Sequence, residues 1–299
     1  MIFVDGVDIG DVTDVDVQTA QARIREFRAQ LGITRADLLP QLSANGTVST
    51  NQIAIGAFPP VQFDAFRVTA DLAWELDFWG RYRRATEAAR ADLIATEEGR
   101  RSVISSLVAG VALQYLQLKG VRQRLEVVRQ TAAAQRDSLA LVRLLSKQGV
   151  QSATEERQAE SQLLTTENQI PALERQIAQT EDALAFLLGS TPRPFDTGSD
   201  LQAVRVAPEV PTGLPSELLE RRPDIRQAEQ ILVAANANVG VARAQFFPTI
   251  SLTGALGRVS DRLHGLVTSR GDGFFTVGGN LLAPIFTGGA ITANYEAAR

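Results

Sequence analysis

Cysteine is absent from the 299 residues, and histidine occurs only once, at His264. The lack of cysteine excludes disulfide bonds and cysteine-ligated metals. With one histidine, no glycine-rich phosphate loop and no cluster at metal-ligand spacing, the sequence shows no catalytic constellation and no cofactor site. We therefore expect a protein that is not an enzyme and that has no cofactor.

Long apolar runs are missing as well. The most apolar stretch, 103–118, is interrupted by serines and glutamines, so the roughly 20 apolar residues of a transmembrane helix are not found. Membrane-spanning β-strands are still allowed, because they alternate apolar and polar residues and need no such run. The formal net charge is −4 and no segment is strongly basic, which argues against nucleic acid as a partner.

An internal repeat is the strongest pattern in the chain. Segment 31–46 resembles segment 239–254, so that Gly32 and Gly46 recur 208 residues later as Gly240 and Gly254. A second block recurs at an offset of 209, and it includes Leu72, Gly80 and their counterparts Leu281 and Gly289. The offset grows by one inside a loop, where insertions are tolerated. The sequence therefore predicts two equivalent structural units.

Each unit carries two strands. Residues 64–78 alternate with period two, which indicates a half-buried strand. The apolar side is predicted to face lipid and consists of Phe66, Val68, Leu72, Trp74, Leu76 and Phe78. The opposite side is predicted to face a wet lumen and includes Arg67, Asp71, Glu75 and Asp77. The length and the charged side favour a membrane-barrel strand, and an ordinary sheet strand is the alternative.

This strand forms a predicted hairpin with a strand at 41–49, through a loop that contains Gly56 and Pro59-Pro60. The second unit repeats the hairpin, with strands at 250–256 and 275–285 and a charged loop that holds Arg258 and His264.

Helices follow the strands. Residues 81–147 contain no proline, and as a single helix they would span about 100 Å at 1.5 Å per residue. A row of apolar residues at heptad spacing predicts coiled-coil packing: Ile104, Val111, Leu118, Leu125, Ala132 and Leu139. A tight turn should follow, where Gly149 fits a left-handed helix C-terminus and Ser152 can cap the next helix.

The return helix is predicted at about 152–188, with a bend at Pro171. Its own heptad row is Leu163, Ile170, Ile177 and Leu184. A proline-rich linker leads to a third helix at about 216–243. The two shorter helices together match the long one in length, so we expect them to stack end to end beside it.

Four strands cannot close a membrane barrel, since the smallest known barrels need about eight. Open strand edges are not tolerated in lipid, so copies of the chain must complete the wall. Three copies would supply twelve strands, and the helices would continue the barrel as a tube. A barrel continued by a tube is a conduit.

Three segments carry a resemblance to a known family. Residues 213–229 read Gly-Leu-Pro-Ser-Glu-Leu-Leu-Glu-Arg-Arg-Pro-Asp-Ile-Arg-Gln-Ala-Glu, residues 242–250 read Ala-Arg-Ala-Gln-Phe-Phe-Pro-Thr-Ile, and residues 74–81 read Trp-Glu-Leu-Asp-Phe-Trp-Gly-Arg. The chain resembles the outer-membrane factors, the TolC-like channels, and especially the lipoprotein branch that serves resistance-nodulation-division pumps. The resemblance extends over nearly the whole chain from about Val17.

The resemblance implies a mixed α and β membrane protein, in which a trimeric twelve-stranded transmembrane β-barrel with four strands per protomer continues as a coiled-coil periplasmic tunnel. It implies a passive export duct for drugs or other small molecules, located in the outer membrane of a Gram-negative bacterium with its helices in the periplasm. The implied partners are two further copies in a homotrimer, a periplasmic adaptor, an inner-membrane pump of the resistance-nodulation-division type and outer-membrane lipid. Tips of helical hairpins meet the adaptor in this family, so Gln148, Gly149 and Val150 are the predicted docking residues.

The expected organisation runs in chain order. It comprises the end of the first repeat's leading helix (1–40), barrel hairpin 1 (41–79), the periplasmic coiled-coil hairpin (80–189), an equatorial linker (190–215), the stacked helix of repeat 2 (216–247), barrel hairpin 2 (248–287) and the start of a second long helix (288–299).

Family members also carry a signal peptide, a lipidated cysteine in this branch, and a second complete helical hairpin. The first residues, Met1-Ile-Phe-Val-Asp, do not form a signal peptide. We therefore expect a piece of a longer protein whose front is missing and whose second hairpin is truncated.

Two other kinds of protein remain as alternatives, because they also contain coiled-coil helical hairpins. One is a periplasmic coiled-coil adaptor, which has a helical hairpin but would not show the repeat or the long strands. The other is a TolC-type channel that secretes proteins.

Overall fold

The computed structural model describes residues 3–4, 7–8, 15–53, 61–196, 217–268 and 272–299. The predicted hairpin loop with Gly56 and Pro59-Pro60, most of the linker 190–215 and the expected start of the third helix at Ser216 lie outside the described residues. The chain divides into two compact units, one of residues 1–22 and 99–222 and the other of residues 23–98 and 223–299.

The elements in chain order are β1 (Phe3–Val4), β2 (Val7–Asp8), α1 (Val15–Ala36), β3 (Gln41–Ile53), β4 (Val61–Leu76), α2 (Arg81–Lys147), α3 (Ala153–Glu167), α4 (Ile170–Leu187), α5 (Glu217–Arg221), α6 (Pro223–Ala244), β5 (Thr249–Ser260), α7 (Leu263–Val267), β6 (Asp272–Leu282) and α8 (Ala290–Ala298).

The first unit is built around a helical hairpin. Helix α2 has 67 residues without interruption, as the sequence predicted, and the part from residue 99 onward belongs to this unit. The chain returns as α3 and α4. At Pro171 the structure shows a break between these two helices instead of a bend, and the proline stands in the first turn of α4. A proline is tolerated there because the first N–H groups of a helix have no intrahelical acceptor.

The predicted heptad rows form the core of this hairpin. Leu118 is fully buried, and it packs in one cluster with Val111 and Leu184. Further along, Leu125 packs near Leu173, while the segment toward the turn is closed by a third cluster, which contains Ala132, Leu139 and Leu163. Burial every seven residues confirms the coiled-coil prediction.

The second unit is built around an antiparallel sheet of four strands in the order β3-β4-β5-β6. The beginning of α2 and helix α6 pack through small residues, Ala88 and Ala91 against Ala234 and Ala237, all nearly fully buried. Small side chains let the two helices approach closely. Helices α6 and α8 are also in contact.

The repeat is visible in the strand register. Leu42 pairs with Leu72 in the first hairpin, and their counterparts Ile250 and Leu281 pair in the second. Gly80 and Gly289, at equivalent places before α2 and α8, both have positive φ, +79° and +86°. The two repeats predicted from the sequence therefore match in strand register and in the backbone turn before α2 and α8.

Several predicted boundaries are wrong. Strand β4 ends at Leu76, so Asp77 and Phe78 lie in the following turn, and β6 ends at Leu282 instead of 285. Arg258, expected in a loop, belongs to β5.

Within 1–40, the described residues before α1 form the short pair β1 and β2 and no helix. Aromatic and β-branched side chains such as Phe3 and Val4 favour strands over helices.

Candidate functional site

The sheet has one apolar face. Cross-strand pairs share a face, so the register places Leu42, Leu72, Gly254 and Val277 side by side. Most of the large apolar side chains on this face are exposed, from 36% for Trp74 to 79% for Val277. They are Leu42, Val48, Val68, Leu72, Trp74, Leu252, Leu256, Phe275, Val277 and Leu281.

Each residue predicted to face lipid lies on this face, except Phe78. Phe66 and Leu76 are half-buried there. The apolar row from Phe66 to Leu76 has a length that suits a tilted membrane strand, which needs about 9–11 residues. An exposed apolar face of this extent is typical of a surface that contacts lipid or protein.

The opposite face is mainly polar, and Phe63, Phe274 and Leu282 also lie on it. Arg67, Asp71 and Glu75 lie on it as predicted, together with small hydroxyl and amide residues from all four strands. The Asp71 carboxylate accepts hydrogen bonds from Asn45 Nδ2 at 2.6 Å and Thr69 Oγ1 at 2.8 Å. These hydrogen bonds hold the Asp71 carboxylate in place on the polar face, and such a face can line a water-filled path.

Asp77 has a different role from the predicted one. Its carboxylate accepts hydrogen bonds from the backbone N–H groups of Tyr82, at 3.2 Å, and Arg83, at 2.9 Å. It therefore caps the first turn of α2, where backbone donors lack intrahelical partners and the helix dipole favours an anion.

Glu75 also reaches the start of α2. It accepts from Arg81 Nη2 at 2.9 Å and from the Tyr82 hydroxyl at 3.0 Å. Burial raises the pKa of Tyr82, and the Glu75 carboxylate adds to that effect, so the hydroxyl stays protonated and remains a donor. These contacts fix how the chain passes from strand to helix.

An aromatic contact holds the other side of this junction. Trp79 stacks on Phe247 with a centroid separation of 4.8 Å, and its Nε1 donates to the Pro248 carbonyl at 2.6 Å. The strand–helix turn of the first repeat is thus tied to the helix–strand turn of the second.

The tip of the helical hairpin has the predicted geometry. Gly149 has φ +73°, and its N–H donates to the Ser146 carbonyl at 3.0 Å. The N–H of Val150 donates to the carbonyl of Leu145 at 2.9 Å, and its side chain is 68% exposed. Gln148 completes the turn, and Ser152 with Glu155 forms a capping box at the start of α3. The three predicted tip residues therefore lie together at an exposed, well-defined turn.

A ladder of ion pairs joins the two arms of the hairpin and was not predicted. Four arginines of α2 at seven-residue spacing each pair with glutamates of α3 or α4, which also repeat every seven residues. The pairs are Arg122 with Glu181, Arg129 with Glu174 at 2.8 Å, Arg136 with Glu167 at 2.5 Å, and Arg143 with Glu160 at 3.1 Å. The heptad spacing of both charge rows could have revealed it.

Among the described residues, no helix is long and apolar enough to cross a membrane. Within the same part of the chain, no group of three histidine, cysteine, aspartate or glutamate side chains could hold a metal ion.

The sequence matches the Outer membrane efflux protein family over residues 12–190 and 214–299. The chain belongs to this family. The matched residues include both strand hairpins and the tip of the helical hairpin, and the match confirms the resemblance seen in the sequence.

Two curated relatives illustrate the relationship. The toluene efflux pump outer membrane protein TtgF of Pseudomonas putida is 37% identical over 289 residues, which are 94% of this chain and 59% of the relative. SilC of Salmonella typhimurium, named a probable outer membrane lipoprotein, is 35% identical over 285 residues, covering 95% of this chain and 61% of SilC. The chain thus spans about three fifths of the length of these relatives.

A solved structure shows the same architecture. CusC, whose crystal structures were described in connection with transmembrane channel formation, superposes with a TM-score of 0.88 at 33% identity, covering 96% of this chain and 66% of CusC. This likeness confirms the predicted fold class, with long helices and a four-stranded sheet in one protomer. TtgF is named for efflux and CusC is described in connection with channel formation, and none of the three names denotes an enzyme.

Proposed function

We propose that the full-length protein is a trimeric outer-membrane channel of a tripartite efflux system, and that it conducts small molecules passively. One observation carries the proposal: a four-stranded sheet with one exposed apolar face, one polar face and no further strand on β3 or β6 among the described residues. In lipid such edges require partners. Three copies would supply twelve strands, with the apolar face toward lipid and the polar face toward the lumen.

The hairpin tip supports a second part of the proposal. Gln148, Gly149 and Val150 form an exposed turn at the end of two heptad-packed helices, which makes them the proposed contact for a periplasmic adaptor. The adaptor would connect the channel to an inner-membrane pump of the resistance-nodulation-division type. No step of this function requires a cofactor or a catalytic group.

We infer the class of transported compound from the similarity to named relatives. TtgF is named for toluene efflux, and we infer that this channel also passes small molecules, with selection made by the pump. Family membership disfavours the adaptor alternative, and no described contact favours protein secretion.

The experiment is complementation. The full-length gene is expressed in a strain that lacks its own outer-membrane channel but retains the matching adaptor and pump. We expect the minimal inhibitory concentration of the pump's substrates to rise to the level of the parent strain. If the protein reaches the outer membrane as a trimer and susceptibility does not change with any tested pump, the efflux function is wrong.

A further inference from the structure

The two strand hairpins share one register. In the first, Leu42 pairs with Leu72 and Gly46 with Val68. Adding 208 to the first-strand number and 209 to the second gives Ile250 with Leu281 and Gly254 with Val277, which are pairs of the second hairpin. A single repeat operation therefore carries β3 onto β5 and β4 onto β6.

The same operation acts on the pairing between the hairpins. Strand β4 is hydrogen-bonded to β5, with Leu72 opposite Gly254. The repeat operation relates β4 to β6 and β3 to β5. The pairing equivalent to that of β4 with β5 is therefore a pairing of β6 with a β3 strand. Within this sheet β6 is an edge strand, so the equivalent pairing needs a β3 from another copy of the chain.

We propose that β6 of one protomer pairs antiparallel with β3 of the next, with Leu281 opposite Gly46 of the partner subunit. This inference rests on the proposed trimeric channel. It adds the register of the seam between protomers, where β6 of one copy meets β3 of the next. The neighbouring pairs are Asn280 with Thr47 of the partner subunit and Gly279 with Val48 of the partner subunit.

Side-chain size supports this register. Inside the sheet, the Leu72 side chain lies over Gly254, where its Cβ would be 3.7 Å from a Cβ added to the glycine. At the seam, Leu281 would likewise lie over a glycine. Leu281 is 66% exposed in the single chain, and no atom lies within 4 Å of a Cβ added at Gly46. The large residue and the space for it are therefore both present.

The next pair repeats the complementarity in reverse. Ala70 stands opposite Leu256 within the sheet, and the seam places Gly279 opposite Val48 of the partner subunit, again small against large. A slip of two residues in one direction would set Leu281 against that valine, and a slip of two in the other direction would set Val277 against it, so either slip places two large side chains opposite each other. A slip of one residue would turn the apolar face of the whole strand toward the lumen.

Disulfide cross-linking of the full-length protein tests the register. Two matched pairs are made, Gly279→Cys with Val48→Cys and Asn280→Cys with Thr47→Cys. Adjacent antiparallel pairs alternate between close and wide Cα spacing, about 4.5 and 5.5 Å, so one of the two is a close pair. The 299 residues contain no cysteine that would compete. The controls shift the partner by two residues, Gly279→Cys with Gly46→Cys and Gly279→Cys with Thr50→Cys.

A shift of two residues moves the partner by about 7 Å, which takes the sulfurs out of disulfide range. After oxidation, non-reducing electrophoresis should show covalent trimers for at least one matched pair and only background for the controls. Under reducing conditions every variant should retain the native trimer. Stronger cross-linking of a shifted pair, or no cross-linking of either matched pair in a native trimer, overturns the register and leaves the channel proposal standing. A parent protein that forms no trimer overturns both.

Discussion

At the scale of single residues, Gly149 is the position where conformation and the proposed docking meet. Its φ of +73° lies in a region that a β-branched residue resists. Gly149→Val should therefore distort the tip, abolish adaptor cross-linking and raise drug susceptibility, while the trimer yield stays normal. Susceptibility and site-specific cross-linking in the complemented strain measure this.

Gly120→Val is the matched control for that change. Gly120 lies inside α2, and no atom comes within 4 Å of an added Cβ, so the same side chain is introduced without a positive φ. Full export by Gly149→Val would show that the tip only connects two helices.

Leu72 and Asp71 are neighbours on opposite faces of β4, and together they test which face meets lipid. Arginine at a lipid-facing midplane position of a barrel costs about 2–4 kcal/mol, so Leu72→Arg should lower trimer stability by that order. Asp71→Arg should cost much less, because the new charge stays in water. Denaturant titration of the trimer in lipid vesicles gives both values, and equal losses would contradict the assignment of the faces.

Local backbone chemistry explains which residues the sequence predicted. Gly149 and Ser152 were recognisable because glycine at a helix C-terminus and serine at an N-terminus satisfy needs of their own segment. Asp77 was misplaced for a related reason. Alternation extended the strand by two residues, but the unpaired N–H groups of α2 attract that carboxylate to the helix instead.

At the scale of elements, the ion-pair ladder makes the hairpin testable as a unit. Exposed pairs contribute about 0.2–1 kcal/mol each, and Arg129 and Glu174 are both half exposed. Arg129→Glu should lower the hairpin's free energy of unfolding by about 1 kcal/mol, because two carboxylates then face each other. Hydrogen exchange of α4 amides measures the loss.

Charge exchange supplies the control for the ladder. The double variant Arg129→Glu with Glu174→Arg should recover most of the protection lost in the single variant, and high salt should reduce the difference. A double variant as unprotected as the single one would mean that the pair contributes no mutual attraction.

Elements with their own periodicity were predicted well, and those defined by distant contacts were not. Helix α2 follows from its heptads and lack of proline. Helix α7 has only five residues, and it is held by Arg258, whose guanidinium donates to the carbonyls of Leu266 and Thr268 at 3.0 and 2.7 Å. These contacts join a strand to residues in and just after α7, so no local pattern in the sequence predicts this helix.

At the scale of the whole molecule, the proposed channel predicts an obligate assembly. One protomer offers four strands and an exposed apolar face, so the full-length protein should be extracted only by detergent and should have the mass of three chains. Light scattering combined with analytical ultracentrifugation, corrected for bound detergent, measures that mass. A monodisperse monomer that stays in water without detergent would contradict the barrel.

The ladder also limits how the length of the hairpin can change. From one rung to the next, the paired positions move seven residues closer to the tip on both arms. An insertion in one arm alone would misalign every rung on one side of it. Only matched insertions or deletions of seven residues in both arms keep all remaining rungs, and each such step changes the reach by about 10 Å. Hairpins that keep this ladder are therefore expected to differ in length only by whole steps of seven residues per arm.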